Sequence, residues 1–290
     1  MQAEYRTFLR EGEQAAFRYG LASPRRLPRG MSGNILGSGA GSSLEFLDHR
    51  EYQPGDDLRH IDWNAYARSD KLTVKLFREE ISPQCDLLID GSRSMALEDT
   101  AKTRATLALT ALLGQASFNA DCSLRTWWAT DICRPVQNGH ERPTVWEGLE
   151  FPFAGNIGDT LLRLPPQWRS NGIRFFVSDL LWSADPLPIV MRFAEKAAAF
   201  FVVQILAEAD VAPAPRGNIR LMDTETGIEK DVFLDDQVLQ EYQEGLRRHQ
   251  QEWSRACSQV GGRMVTLIAE NLLRDWDLKD LVEAEMLKVS

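Results

Sequence analysis

The chain has 290 residues, 43% hydrophobic and 26% charged, the balance of a soluble globular protein with one large domain or one medium domain plus extensions. A net charge of −9 disfavours a general role on nucleic acid or an anionic membrane, and the small cluster Arg25, Arg26 and Arg29 does not reverse that. The four cysteines (Cys85, Cys122, Cys133, Cys257) are scattered without a C-x-x-C pair, so they are read as reduced thiols of a cytoplasmic protein.

Met1-Gln-Ala-Glu-Tyr-Arg6 has no apolar core behind a basic start, so no secretory leader is expected. The most apolar run, Ala197 to Ala207, is too short to span a bilayer, and no membrane insertion is expected. Residues 3–20 suit a helix of mixed charge. Ser23 to Ser43 is rich in Pro, Gly and Ser and reads as a linker or wrapping loop; it has no phosphate-binding glycine pattern. Within 44–80, Pro54-Gly55 marks a turn and Lys71 to Phe77 alternates like a half-buried strand. Residues 1–80 are therefore expected to form a helix, a Gly/Ser-rich loop and a β-rich segment packed on a main domain spanning 81–290.

From Cys85 the pattern changes to alternating strands and helices. Strands are expected at Cys85–Ile89, Ser123–Trp128, Ile173–Ser178, Ala199–Leu206 and Arg263–Ile268. Helices are expected at about 100–119, 157–164, 185–197, 235–259 and 270–287, and a hairpin over 218–233 turning near Glu225-Thr-Gly227. Apolar strands separated by amphipathic helices indicate an α/β fold with a doubly wound, mostly parallel sheet. Trp127 and Trp128 adjoin in one strand, so one ring should face the core and the other an outer layer.

One stretch looks like chemistry: Cys85-Asp-Leu-Leu-Ile-Asp-Gly-Ser-Arg-Ser-Met95. An apolar strand ends in Asp90, and Ser92 and Ser94 follow at alternating positions. This all-oxygen set suits a hard cation such as Mg²⁺, while on these residues alone Asp90 and Ser94 equally suit a helix cap. Arg174-Phe-Phe-Val-Ser-Asp179 is a second apolar strand ending at a carboxylate. If the two strands are neighbours, Asp90 and Asp179 meet at one crevice beyond the strand ends, where open sheets bind ligands. That convergence favours a metal.

Asp90-x-Ser92-x-Ser94 after such a strand resembles the first motif of the von Willebrand factor type A domain, the metal-ion-dependent adhesion site. Upstream, Glu51-Tyr-Gln-Pro-Gly-Asp-Asp-Leu-Arg-His-Ile-Asp-Trp63, with Ala67-Arg68 and Lys75, resembles the bacterial family named domain of unknown function 58. The resemblance implies a Rossmann-like fold of the von Willebrand type and a non-enzymatic binding module. It implies Mg²⁺ or Mn²⁺ held by Asp90, Ser92, Ser94 and Asp179, with a coordination position left for an acidic residue of a client or partner. It also implies work beside a MoxR-type AAA ATPase in chaperone-like complex assembly. The family's intervening threonine falls in Phe153-Ala-Gly-Asn-Ile-Gly-Asp-Thr160, where Asn156 takes its position and Thr160 comes slightly later, a departure that weakens the expected site.

The charges around Tyr52 and Trp63 read mainly as an ion-paired scaffold, with Arg59, Asp62 and Trp63 as an alternative partner-binding surface. His49 and His60 match no usual metal spacing. Gln240 to Arg255 reads as a solvated helix face, and Trp253 and Trp276 as core or interface anchors. A metal-dependent hydrolase is the weaker alternative. Ser92 stands where aspartyl-phosphate enzymes need a second acid, and no histidine adjoins Asp90 or Asp179 in sequence. A further alternative is a relic of the fold that binds partners without metal.

Overall fold

The computed structural model describes residues 3–22, 44–79, 83–213, 216–223 and 227–289. These belong to two compact units, one of residues 1–25 with 83–290 and one of residues 26–82. The linker expected over 23–43 and the tip of the hairpin at 224–226 lie outside the described residues.

The division differs from a boundary at residue 80. Helix α1 (Ala3–Ala15) and strand β1 (Tyr19–Leu21) belong to the α/β unit, where Leu9, Ala16 and Leu21 are buried in the main core. The helix expected over 3–20 stops at Ala15, passes through a 3-10 turn, and becomes extended at Tyr19.

The smaller unit is built on an antiparallel pair, β2 (Leu44–Glu51) and β3 (Thr73–Glu79), joined through a 3-10 turn and helix α2 (Trp63–Ser69). Its charged residues organise the block internally. Arg50 makes two hydrogen bonds to Asp56, at 2.8 and 2.6 Å, and Arg59 grips Asp57. Asp62 caps α2 by accepting from the Asn64 and Ala65 amides, and also meets His49 at 2.7 Å and Lys75 at 3.7 Å. Cap bonds, first that from Ala65, and the contact with His49 hold its carboxyl below the ordinary value.

The larger unit continues through β4 (Gln84–Asp90), α3 (Lys102–Asn119), β5 (Ser123–Ala129), β6 (Cys133–Pro135), α4 (Ile157–Arg163), β7 (Ile173–Ser178) and α5 (Pro186–Ala194). It goes on with β8 (Ala199–Leu206), α6 (Glu208–Val211), the hairpin β9 (Gly217–Met222) and β10 (Glu229–Leu234), and α7 (Asp236–Gln259). It closes with β11 (Arg263–Ile268), α8 (Ala269–Asp275), α9 (Lys279–Glu283) and β12 (Leu287–Val289), which pairs with β1. The central sheet has the order β11-β8-β7-β4-β5-β6, parallel throughout except for β6. The chain starts in the middle at β4, builds outward through β5 and β6, then returns to the other side of β4 and builds outward through β7, β8 and β11. The reversal, and hence the crevice, lies between β4 and β7.

Alternate side chains of each strand feed two cores, one on each face of the sheet. Leu87, Ile89, Phe175 and Val177 pack with α1, α3 and α8, while Leu88, Phe176 and Val202 pack with α4, α5 and α7, the last through Trp253. Trp128 joins the first core and Trp127 the second, so both rings are buried and neither faces an outer layer. Instead of one helix over 270–287 there are two. Trp276 takes a left-handed conformation (φ 48°) that ends α8, and the Asp277 carboxylate accepts the Lys279 amide as α9 begins. All four cysteines are free thiols; burial pushes Cys133 and Cys257 up to about 12, which keeps them protonated. Among the described residues, no helix is long and apolar enough to cross a membrane.

Candidate functional site

Strand β4 carries a carboxylate near each end, and the two are treated differently. Asp86, at the start, is buried and paired with Arg169 at 3.1 Å. Asp90, at the carboxyl end, is equally buried but has no ion pair among the described residues. Its Oδ1 accepts the Ser92 amide at 2.8 Å and its Oδ2 accepts the Ser178 hydroxyl at 2.6 Å. The register explains the second bond: Ile89 lies beside Val177, so Asp90 lies beside Ser178. Burial, then the nearby Asp179 carboxylate, push Asp90 up to about 6, partly opposed by the serine hydrogen bonds.

Gly91 lets the chain turn out of the strand. Its amide donates to the Ala129 carbonyl at 2.8 Å, and an added Cβ would stand 2.5 Å from Trp128 Nε1 and 2.7 Å from the Ala129 oxygen. The Trp128 indole is itself anchored on the Glu150 carbonyl, so neither neighbour yields freely. Gly91→Ala should cost about 1–3 kcal/mol in a denaturant titration. A change below about 0.5 kcal/mol would show that this turn is not tightly packed.

Beyond Gly91, Ser92 is bridged to Phe153 and the chain enters a 3-10 turn over Arg93–Ala96. The Ser92 and Ser94 hydroxyls meet at 3.0 Å. Neither Asp90 nor Ser94 caps a helix, as the sequence had allowed: the 3-10 turn and α3 start at Ser92 and Ala101 without a side-chain cap bond, and the Asp90 carboxylate instead fixes the turn next to the Ser92 and Ser94 hydroxyls.

Asp179 follows β7 by one residue and serves a different group. Its Oδ1 accepts the Leu181 amide at 3.0 Å, and its Oδ2 accepts from Lys102 Nζ at 2.9 Å. The same ammonium lies 2.9 Å from Asp210 Oδ2, at the start of α6. Lys102 is fully buried in the first turn of α3. Burial works against its charge, but Asp179 and Asp210 outweigh this and raise its pKa. Gln204 donates to the Asp179 carbonyl at 2.8 Å, and its own Oε1 accepts from Gln250 and Thr266, so the floor beside this ion cluster is hydrogen-bonded.

The remaining predicted residues lie in other bonds. Asn156 caps α4, its Oδ1 accepting the Gly158 amide and its amide nitrogen donating to the Ser183 carbonyl. Thr160 donates to the Thr130 carbonyl at 2.8 Å. Among the described residues neither is hydrogen-bonded to Asp90, Ser92 or Ser94. Arg59, Asp62 and Trp63 belong to the smaller unit: Arg59 and Asp62 serve the local pairs given above, and Trp63 is 62% exposed with an edge contact to Tyr66. Lys102, Asp210, Ser178 and Gln204 were not singled out from the sequence. The one signal for Lys102 was that α3 is apolar around most of its circumference, so a lysine in its first turn needed an internal partner.

The donors that converge are oxygens, as a hard divalent ion requires, and the buried Asp90 carboxylate has no counter-cation among the described residues. On that chemistry Asp90, Ser92 and Ser94 fit Mg²⁺ or Mn²⁺. Asp179 fits only in competition with the ammonium already bonded to it.

A sequence model of the family described as Protein of unknown function DUF58 matches residues 48–252. Uncharacterised proteins of Mycobacterium bovis and Mycobacterium tuberculosis are each 23% identical over 274 residues, covering 90% of this chain and 85% of theirs. Among solved structures, the conserved hypothetical protein BatB of Bacteroides thetaiotaomicron aligns with TM-score 0.36 and 11% identity, over 70% of this chain and 98% of that one. An aerotolerance-related membrane protein of Bacteroides fragilis aligns with TM-score 0.37 and 12% identity, over 69% and 99%.

Proposed function

Since the chain belongs to the DUF58 family of proteins of unknown function, we propose its role from the crevice that it builds: a non-enzymatic protein-docking domain of the von Willebrand factor type A kind. The observation that carries this reading is the convergence of Asp90, Ser92 and Ser94 at the switch point of a sheet ordered β11-β8-β7-β4-β5-β6. Asp90 holds the turn by accepting the Ser92 amide, and Ser178 holds Asp90 from the neighbouring strand. The hydroxyls of Ser92 and Ser94 stand beside that buried negative charge. These three residues would hold Mg²⁺ or Mn²⁺, which when bound supplies an open position for a carboxylate of the partner. By the family resemblance, the partner is a MoxR-type AAA ATPase or a client handled with it. Hydrolysis is the weaker reading: among the described residues of the α/β unit, the histidine whose bond lies nearest Asp179, His249, has its Nε2 on the Leu180 carbonyl at 2.7 Å.

Calorimetric titration with Mg²⁺ and Mn²⁺ tests the reading against Asp90→Ala. Binding heat in the native chain that is lost in the variant is the expected result; identical traces would sink the metal. Capture of the purified ATPase, with Mg²⁺ and with EDTA, tests the docking itself, and equal recovery would show that contact does not use the ion. A metal-free docking domain is the second reading, favoured by the Lys102 ammonium on Asp179 and by the cap bonds that occupy Asn156.

A further inference from the structure

We propose that Lys102 is the resident cation of this crevice and sets its affinity for divalent ions: a metal can share Asp179 with Asp90 only by displacing the lysine ammonium. The inference rests on the reading of the crevice as cation-attracting and adds its regulation. Three carboxylates lie on this side of the sheet, on three separate elements. Asp90 ends β4, Asp179 follows β7, and Asp210 lies in α6 after β8. Lys102 Nζ stands 2.9 Å from both Asp179 and Asp210, and neither its side chain nor that of Asp179 has solvent exposure. The ammonium thus does for two of the carboxylates what a divalent ion would do.

The surroundings lock this arrangement. Asp210 Oδ2 also accepts the Ala207 amide, and the Asp210 carbonyl accepts the Tyr242 hydroxyl at 2.6 Å. Asp179 is fixed on its other oxygen by Leu181, and its amide approaches the Met95 sulfur at 3.1 Å. Met95 directly follows Ser94, so the hydroxyl turn and the lysine-bound carboxylate share one wall. Releasing Lys102 from Asp179 would free a carboxylate oxygen next to the Asp90, Ser92 and Ser94 set, and would leave negative charge in a buried place. Both changes favour a small divalent ion.

The test is Mn²⁺ binding followed by loss of the free-ion electron paramagnetic resonance signal, in the native chain, in Lys102→Met, and in Lys102→Met with Asp210→Asn. The double variant removes one carboxylate with the lysine, which protects folding if the single variant is unstable. Both variants should bind Mn²⁺ at least about tenfold tighter than the native chain. Weak or undetectable binding by the native chain beside tight binding by the variants supports the proposal. Native binding that is unchanged or weakened in the folded variants overturns it and leaves the metal reading standing. No binding by any of the three overturns both.

Discussion

Gly12→Ala should lower the stability of the α/β unit by on the order of 3 kcal/mol, among the largest effects of any single methyl group in the molecule. Gly12 lies in α1, where it faces α3. A Cβ built there would stand 1.8 Å from the Ala108 carbonyl oxygen, 2.6 Å from its carbon and 2.9 Å from its Cα. All three are backbone atoms of a buried helix, so no side chain can rotate away. The helices must separate, which loosens Leu9 and Ala16 from the core and pulls on the Arg104–Glu11 pair that joins the two helices at 2.8 Å. Gly245→Ala is the control. Gly245 lies inside α7 with nothing within 4 Å of its added Cβ, so the same substitution should stabilise by about 0.5–1 kcal/mol through helix propensity. Paired denaturant titrations read both. Equal effects at the two glycines would mean that α1 does not pack against α3 backbone to backbone.

Those two glycines also show where the sequence stops being informative. Both sit in stretches that read as charged helices, and no local pattern separates a glycine needed for a close crossing from one facing open space. The strands were legible because parallel strands covered on both faces are apolar at most positions, which marks Cys85–Ile89, Ile173–Ser178 and Ala199–Leu206 despite Asp86, Arg174 and Gln204 within them. The neighbourhood of β4 and β7 was legible as a condition, and the sheet order fulfils it. The break between α8 and α9 was not, because it depends on a left-handed Trp276, a conformation that tertiary packing imposes on a residue with no preference for it. Likewise α1 and β1 looked like part of an extension, since their partners, α3 and β12, lie about 100 and 270 residues further along.

At the site, Asp90, Ser92 and Ser94 could be placed by spacing alone because they are adjacent in the chain. Asp179 could be placed by the strand it follows. Its partner could not: Lys102 lies 77 residues before it, the second carboxylate on that ammonium, Asp210, lies 31 residues after it, and neither stands in a motif. What the carboxylate does therefore depends on a contact that only the assembled sheet creates. The same holds for Asn156, whose side chain serves the first turn of α4.

Lys102→Met should cost about 3–5 kcal/mol at pH 7, the range found when one partner of a buried ion pair is removed. Methionine has nearly the length of the lysine stem, so little of the loss would come from a cavity. The loss comes from Asp179 and Asp210, which would lose their shared cation in a buried place, beside Asp90, which has no ion pair among the described residues. Asp179→Asn should cost much less, roughly 1 kcal/mol, because Lys102 and Asp210 remain a neutral pair and the amide oxygen still accepts from Leu181. The pH dependence has a fixed sign. Burial and mutual repulsion raise a carboxyl above its unfolded value, as they do for Asp90, pushed up to about 6 from 3.8. Such a group binds its proton more tightly in the folded state, so its penalty is full above the folded-state value and fades as pH falls toward the unfolded one. Removing the ammonium strengthens that trend. The deficit of Lys102→Met relative to the native chain should therefore be largest at pH 7 and shrink toward pH 5, measured by denaturant titration in EDTA. A deficit under about 1 kcal/mol, or one that grows on acidification, would mean that Lys102 does not neutralise these carboxylates.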